Sequence, residues 1–381
     1  MESIIWGQNI SMLIFSGLFI FAFIIQAFFY IFYFRKAILK KSIIESKNSS
    51  TNNPVSIIIC ARNEAENLKK NLPLILEQDY PNFEVIVVDD RSEDETEEIL
   101  NEFASKYSHL KISRVKNEPK FIYGKKLALM LGIKSAVNEW LLFTDADCKP
   151  AGNQWLSMMQ RNFNQNTDIV LGYGGYLKEP GFLNMIIRFE TAYTAMLYFG
   201  MARSGKPYMG VGRNLAYRKS LFFKNNGFAT HTNLASGDDD LFVNETANAG
   251  NTAIEIHPGS FTWSVAEKNF KDWYRQKKRH LTTGSRYKKG TKFRLILENL
   301  SRVILLISFI FLLVKSPFTY YVIGAYCILY LFKTFIFKSV FKQLNERFLF
   351  LSSFILEPFF PLFYSFIHFR NFIDRKRTVW K

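Results

Sequence analysis

Two carboxylates, Asp145 and Asp147, close the run Leu141-Leu-Phe-Thr-Asp145-Ala-Asp147. On an extended chain, residues two apart point to the same side. Like charges that close repel unless a cation sits between them. Surroundings made of oxygen rather than thiolate favour Mg²⁺ or Mn²⁺, ions that complete their shell with substrate phosphates and water. Taken alone, the same spacing also suits two acids on a solvated loop.

Other residues extend the chemistry. In Val88-Asp89-Asp90-Arg91-Ser92, Asp89 and Asp90 follow an apolar run, where an Asp can accept hydrogen bonds from a base or ribose. Ser92 or Asp94 would equally cap the acidic helix that follows. In Gly237-Asp238-Asp239-Asp240, three adjacent acids cannot all ionise cheaply if partly buried, so one can serve as a base near neutral pH. Asp is also common in plain turns. Lys125 and Lys126 open a helix after Gly124, an arrangement that attracts anions. In Trp273-Tyr-Arg-Gln276-Lys-Lys-Arg279-His280, the residues Gln276, Arg279 and His280 lie on neighbouring turns, and an Arg fork suits phosphate oxygens. The competing reading is an amphipathic helix at lipid headgroups, with Phe270, Trp273 and Tyr274 dipping into lipid.

These groups need a frame. Val55–Cys60, Phe83–Val88, Trp140–Thr144 and Asp168–Leu171 read as buried strands. Helical stretches, Glu64–Gln78, Glu93–Tyr107 and Lys125–Val137, alternate with them. That alternation predicts an α/β domain with a mostly parallel sheet and ligands at the carboxyl ends of its strands.

The chain has 381 residues, a net charge of +16 and a pI near 9.5, and 39 of its residues are Phe. Clustering of Phe at the two ends assigns the basic charge to membrane headgroups rather than to nucleic acid. Cys60, Cys148 and Cys327 have neither metal-type nor disulfide-type spacing. No charge falls between Glu2 and Arg35, and residues 1–36 are predicted to form an uncleaved transmembrane helix. Arg35, Lys36, Lys40, Lys41 and Lys47 follow, which places the next segment in the cytoplasm. Residues 37–54 then read as a basic polar linker, 55–290 as the α/β domain, and 291–381 as a membrane region with two or three helical segments and a basic tail. Its first apolar block has only a short run between Arg302 and Lys315, too short to span unless those ends snorkel. The third is interrupted by Glu357, Pro358 and Pro361 and reads as re-entrant or interfacial, which keeps the basic tail inside. The whole is a cell-membrane, multi-pass protein with a cytoplasmic α/β domain.

In order, these pieces resemble the inverting family-two glycosyltransferases of GT-A (Rossmann-like) fold. The likeness is to the membrane-embedded branch containing hyaluronan, poly-N-acetylglucosamine and cellulose synthases and ceramide glucosyltransferase. Pro54-Val-Ser-Ile-Ile-Ile-Cys-Ala61-Arg-Asn63-Glu64 is similar to the family's opening strand, whose loop embraces the nucleotide. Asp89 and Asp90 match the pair that reads uracil and ribose, and Gly124-Lys125-Lys-Leu-Ala-Leu129 the segment whose Lys lies near the diphosphate. Asp145-Ala-Asp147 resembles the Asp-x-Asp metal motif, with the second Asp the usual direct ligand. Gly212-Arg-Asn214-Leu-Ala-Tyr-Arg218 resembles an acceptor-side segment. Gly237-Asp238-Asp239 resembles the motif holding the catalytic base; one alignment favours Asp239 and another Asp238. Gln276-Lys-Lys-Arg279-His280 resembles Gln-x-x-Arg-Trp, with His280 where the family has a Trp at the acceptor entrance.

The resemblance implies inverting transfer from a nucleotide-sugar, in the first instance a UDP-sugar, to a lipid-linked or saccharide acceptor at the cytoplasmic membrane face. Asp147 and Asp145 would hold Mg²⁺ or Mn²⁺. Ala61, Asn63, Glu64, Asp89, Asp90, Lys125 and Asp145 would bind the donor. Asn214, Gln276, Arg279 and His280 would face the acceptor and diphosphate, and Asp239 or Asp238 would take the proton. The alternatives are a non-catalytic nucleotide-sugar-binding membrane scaffold on the same fold, and a transporter-like protein, for which the apolar blocks hold few polar residues.

Overall fold

Val55, Ile57, Ile58 and Ile59 are all fully buried, because the sheet they belong to is covered on both faces. The computed structural model describes residues 2–38, 52–115 and 124–374. Lys40, Lys41 and Lys47 of the basic linker and the tail beyond 374 lie outside them. The central sheet runs β3-β2-β1-β4-β8-β6-β9. Its strands are β1 (Val55–Ala61), β2 (Phe83–Asp89), β3 (Leu110–Arg114), β4 (Trp140–Asp145), β6 (Ile169–Leu171), β8 (Leu215–Arg218) and β9 (Thr252–Ile254). The pairs β1–β2, β1–β4, β2–β3 and β6–β9 are parallel, whereas β8 runs antiparallel to both β4 and β6. A small second sheet joins β5 (Lys149–Pro150), β10 (Thr262–Ser264) and β7 (Gly174–Tyr176).

On one face, Ile57 and Ile59 share a core with Leu68 and Leu72 of α2 (Ala65–Leu76), Leu100 of α3 (Thr96–Lys106) and Trp155 of α5 (Trp155–Gln160). On the other, Ile58 and Ile86 pack with Ala128 and Ile133 of α4 (Lys125–Ser135) and with α6 (Phe182–Arg203). The mostly parallel α/β sheet read from the sequence is present. Because β1 pairs with β2 on one side and β4 on the other, the chain reverses its winding there and leaves a crevice at the strand ends.

Among the described residues, four helices are long and apolar enough to cross a membrane: residues 10–37, most of them in α1 (Glu2–Phe32), α10 (Lys289–Lys315), α11 (Thr319–Gln343), and residues 349–371, most of them in α12 (Ser353–Asp374). The end of α1 is clasped by α6. Gly200 comes so close to the Tyr33 carbonyl that a Cβ there would stand 2.3 Å from its oxygen. Ser204 Oγ donates to the Phe32 carbonyl over 2.8 Å.

Three expectations need correction here. Arg302 does not snorkel: it is buried, and its Nη2 donates to Glu298 Oε2 at 3.1 Å. Pro358 and Pro361 do not interrupt the last block, because α12 runs continuously through both. Pro361 has no N–H for the Glu357 carbonyl four residues earlier, and Arg302 Nη1 donates to that oxygen instead, at 3.3 Å. The apolar blocks also hold more polar groups than they seemed to: Gln26, Glu298, Arg302, Lys333 and Glu357 are all buried. They partner one another and nearby polar groups, with Gln26 on Ser301 and Lys333 Nζ 2.8 Å from Glu357 Oε1.

The chain before and within α12 touches the α/β domain. In the turn after α11, buried Glu346 pairs with Arg188 of α6. Midway along α12, Tyr364 Oη donates to Glu190 Oε1 over 2.7 Å. Asn371 Nδ2 donates to the Lys278 carbonyl in α9 (Phe270–His280) over 3.2 Å.

Candidate active site

The strand register assembles the site. Cys60 stands level with Asp145 across β1–β4, and Ala61 level with Asp89 across β1–β2, so the singled-out acids emerge along one edge. Beyond β4 the chain turns, with the Asn71 side chain donating to the Ala146 carbonyl at 3.1 Å. Ligand atoms of Asp145, Asp147 and Cys148 then lie within 4.8 Å of one another.

Lys125, at the start of α4, donates to Asp145 Oδ1 over 2.6 Å and stands 3.6 Å from Asp238 Oδ2. Burial works against its charge, but these carboxylates hold the ammonium protonated far into the alkaline range. Burial likewise disfavours the Asp145 carboxylate, and Lys125 more than reverses that, holding its pKa below the usual value. Asp147 goes the other way. Burial and then the Asp145 charge raise its pKa, and it forms no ion pair among the described residues. Such a carboxylate fits a divalent cation. Cys148 does not join it as a thiolate, because burial and both acids keep its thiol protonated, bonded to Ser264 Oγ at 3.0 Å.

The triple acid divides. Gly237 takes φ +103°, and a Cβ there would meet Leu241 Cδ1 at 2.5 Å, so only glycine makes this turn. Asp240 is buried and accepts from the hydroxyls of Thr283 and Tyr287. Asp239 accepts from the Gly212 N–H at 2.8 Å and the Asp240 N–H at 2.7 Å. Burial, then the charges of Asp238 and Asp240, push its pKa up to about 7. Asp238 keeps the Lys125 ammonium as its neighbour.

At the β1 and β2 ends, Asn63 and Arg91 both adopt left-handed backbone, φ 56° and 57°. Their loops are laced together: Asn63 Oδ1 accepts from the Glu93 N–H, Ser92 Oγ from the Asn63 N–H, and Asp94 Oδ2 from the Ala65 N–H. Ser92 and Asp94 thus tie two loops, and α3 begins only at Thr96. Asp89 Oδ1 accepts from the Ser92 N–H, and Asp90 bonds Arg91 through Oδ1 while its Oδ2 is buried without a partner among the described residues. Ala61 is wholly buried and offers only its carbonyl, to the Asp90 N–H. Burial, less a hydrogen bond from Asn67, raises the pKa of Glu64.

Lys125, Asp145, Asp147, Asp239, Gln276 and Arg279 line one cavity of about 900 Å³, together with Glu64, Asp238 and His280. The His280 ring opens into it, and enclosure followed by Lys277 and Arg279 drives its pKa well below the usual imidazole value. Asn214 does not reach the cavity, which corrects its assignment. Its side chain is fully buried, donating to the Tyr173 and Ser260 carbonyls and accepting from Trp155 Nε1, so it braces the sheets. Trp273 does not dip into lipid either: it is fully buried and stacks on Phe363 of α12, with ring planes 2° apart.

Arg213 was missed, and Lys126, read with Lys125 as attracting anions, instead binds backbone carbonyls. Arg213 lines the cavity, its guanidinium 4.2 Å from the Tyr176 ring centre and its charge acting on both Asp145 and Asp147. Strand alternation could not signal it, because Gly212–Asn214 form a 3-10 turn just before β8. Lys126 donates to the carbonyls of His231, Leu234 and Ser236, fixing the loop that leads to Asp238. No sequence signal separates it from a solvated lysine.

Residues 56–223 match the family described as "Glycosyl transferase family 2", and residues 146–364 match "Glycosyl transferase family group 2". The chain is 40% identical over 104 residues to glycosyltransferase AglE of Haloferax volcanii, covering 27% of this chain and 33% of that one. It is 28% identical over 230 residues to the probable glycosyltransferase YdaM of Bacillus subtilis, covering 59% and 54%. Each match thus spans between about a third and half of the relative's length. Among solved structures, the mannosyltransferase PcManGT of Pyrobaculum calidifontis, in complex with GDP-Man and Mn²⁺, aligns with TM-score 0.54 at 17% identity, over 90% of this chain and 97% of that one. That likeness is one of fold.

Proposed function

We propose, for a chain that belongs to the glycosyl transferase family 2 group and is therefore a glycosyltransferase, inverting transfer from a nucleotide-sugar, in the first instance a UDP-sugar. The acceptor is a lipid-linked or saccharide hydroxyl at the cytoplasmic membrane face. The observation that carries this reading is the convergence of the Asp145–Asp147 pair, Lys125, Arg279 and a raised-pKa Asp239 on one cavity.

The nucleotide lies across the β1 and β2 ends, bordered by Asp89, Asp90 and Asn63. Asp147 with Asp145 would hold Mg²⁺ or Mn²⁺, which supplies Lewis-acid charge to the diphosphate when bound. Arg279, Arg213 and Lys125 add fixed positive charge where the leaving diphosphate becomes more negative. Asp239 takes the acceptor proton as the hydroxyl attacks the anomeric carbon in line, which inverts its configuration. A base with pKa about 7 is half ionised near neutral pH, strong enough to accept the proton and ready to release it. Asp238, which stands 3.6 Å from the Lys125 ammonium, is the alternative base. The domain sits on the cytoplasmic face, and α12, tied to it at Tyr364 and Asn371, lies along the interface.

The test is to incubate membranes holding the protein with a panel of nucleotide-sugars, with and without Mn²⁺. Metal-dependent release of nucleoside diphosphate from at least one donor is the expected result; none from any donor would overturn the reading.

A further inference from the structure

The catalytic cavity does not end at the acids. It continues between the first half of α10, through Leu295, Ile296, Asn299 and Leu300, and the second half of α12, at Tyr364 and His368. These helices meet where Arg302 donates to the Glu357 carbonyl, and the cavity lies in the fork beyond that contact. Its rim is apolar and open: Ile296 and Leu300 line the cavity yet are 61% and 50% exposed, on a helix apolar enough to cross a bilayer. A water-soluble saccharide gains nothing from such a rim, whereas an alkyl or sterol body does.

The polar lining of this lobe indicates the headgroup. Its charges largely cancel, Glu190 against Lys277 and Glu298 against Arg302, leaving Lys292 at the mouth bonded to the Ser285 carbonyl. With these charges paired off, the lobe offers an ionised phosphate only Lys292, whereas a neutral hydroxyl headgroup needs no countercharge.

We infer that the acceptor is an uncharged membrane lipid bearing a hydroxyl headgroup, which slides from the leaflet between α10 and α12 with its hydroxyl directed toward Asp239. This rests on the glycosyl-transfer reading above and narrows its acceptor.

The test uses the full chain in phosphatidylcholine nanodiscs with a photoactivatable diacylglycerol. Saturable labelling is expected at residues 292–303 and 364–368, displaced by dioleoylglycerol but not by phosphatidic acid. Ile296→Trp and Leu300→Trp, which fill the fork, should cut the saturable label by about fivefold or more. Leu300→Ala should retain it, which separates a blocked fork from a misfolded chain. Equal displacement by phosphatidic acid, unsaturable labelling, or indifference to both Trp variants would overturn the inference. Nucleotide-sugar binding with Mn²⁺ is measured in the same discs. If donor binds but labelling fails, only the lipid acceptor falls; if labelling holds but no donor binds, the transferase reading falls.

Discussion

The Gly212 backbone N–H donates to Asp239 Oδ2 over 2.8 Å, so the strand-entry segment before β8 aims the carboxylate proposed as base. That carboxylate has a pKa raised to about 7 by burial and by Asp238 and Asp240, with Lys125 opposing them. Only the ionised form accepts a proton, so kcat/KM should rise with pH through about 7 and level off above it. Asp239→Asn should lower kcat by about 10²- to 10⁴-fold and remove that limb. Asp238→Asn should keep the limb; if it alone abolishes the limb, the two roles are exchanged.

Asp147 forms no ion pair among the described residues, while Asp145 is held by Lys125. Chelation should therefore stop nucleotide release, and Mn²⁺ should restore it. Asp147→Asn should raise the Mn²⁺ needed for half-maximal rate by about tenfold or more. A metal titration of initial rates reads this directly, and an unchanged midpoint would remove Asp147 as a ligand.

Lys126 touches no proposed substrate group, yet it gathers the carbonyls of His231, Leu234 and Ser236 just before the acids. Lys126→Met should lower kcat by up to about 10²-fold through misplacement of Asp238 and Asp239. Nucleotide-sugar affinity should stay at the parent value. A loss confined to donor affinity would contradict this positioning role.

Gly200→Ala would drive a Cβ against the Tyr33 carbonyl, so α6 and the end of α1 must separate. A loss of about 1–3 kcal/mol is expected, seen as a lower Tm in detergent. An unchanged Tm would mean that this contact yields freely.

Breaking the buried Arg188–Glu346 pair by Glu346→Gln should cost about 3–5 kcal/mol, because a guanidinium is left without its partner. Arg188→Met combined with Glu346→Leu should recover most of that loss. Equal destabilisation by the single and double variants would show that the pair's geometry, not its charge, matters.

Much of the fold could be read in the sequence because parallel strands buried on both faces appear as unbroken apolar runs, as in Val55–Ala61 and Phe83–Asp89. Asp145 was legible for the same reason: it stands where such a run stops. Arg213 and Lys126 were not, since their partners lie far along the chain, at Tyr176 and at residues 231–236. Asn214 misled because a polar residue in a suggestive segment looks the same whether it meets a ligand or three internal partners. The prolines of α12 misled because the group that satisfies the freed Glu357 carbonyl, Arg302, sits on another helix.

The anchoring of α12, at Tyr364 and Asn371 and through Glu346 ahead of it, has a consequence for selectivity. A helix of 22 residues, about 33 Å long, is pinned to the domain at its middle and near its C-terminal end. Under the transfer proposed above, this fixes the height of Asp239 and of the Asp145–Asp147 pair over the apolar helices. The enzyme would then work as a ruler: of two acceptors with the same headgroup, it would favour the one whose hydroxyl stands at that depth.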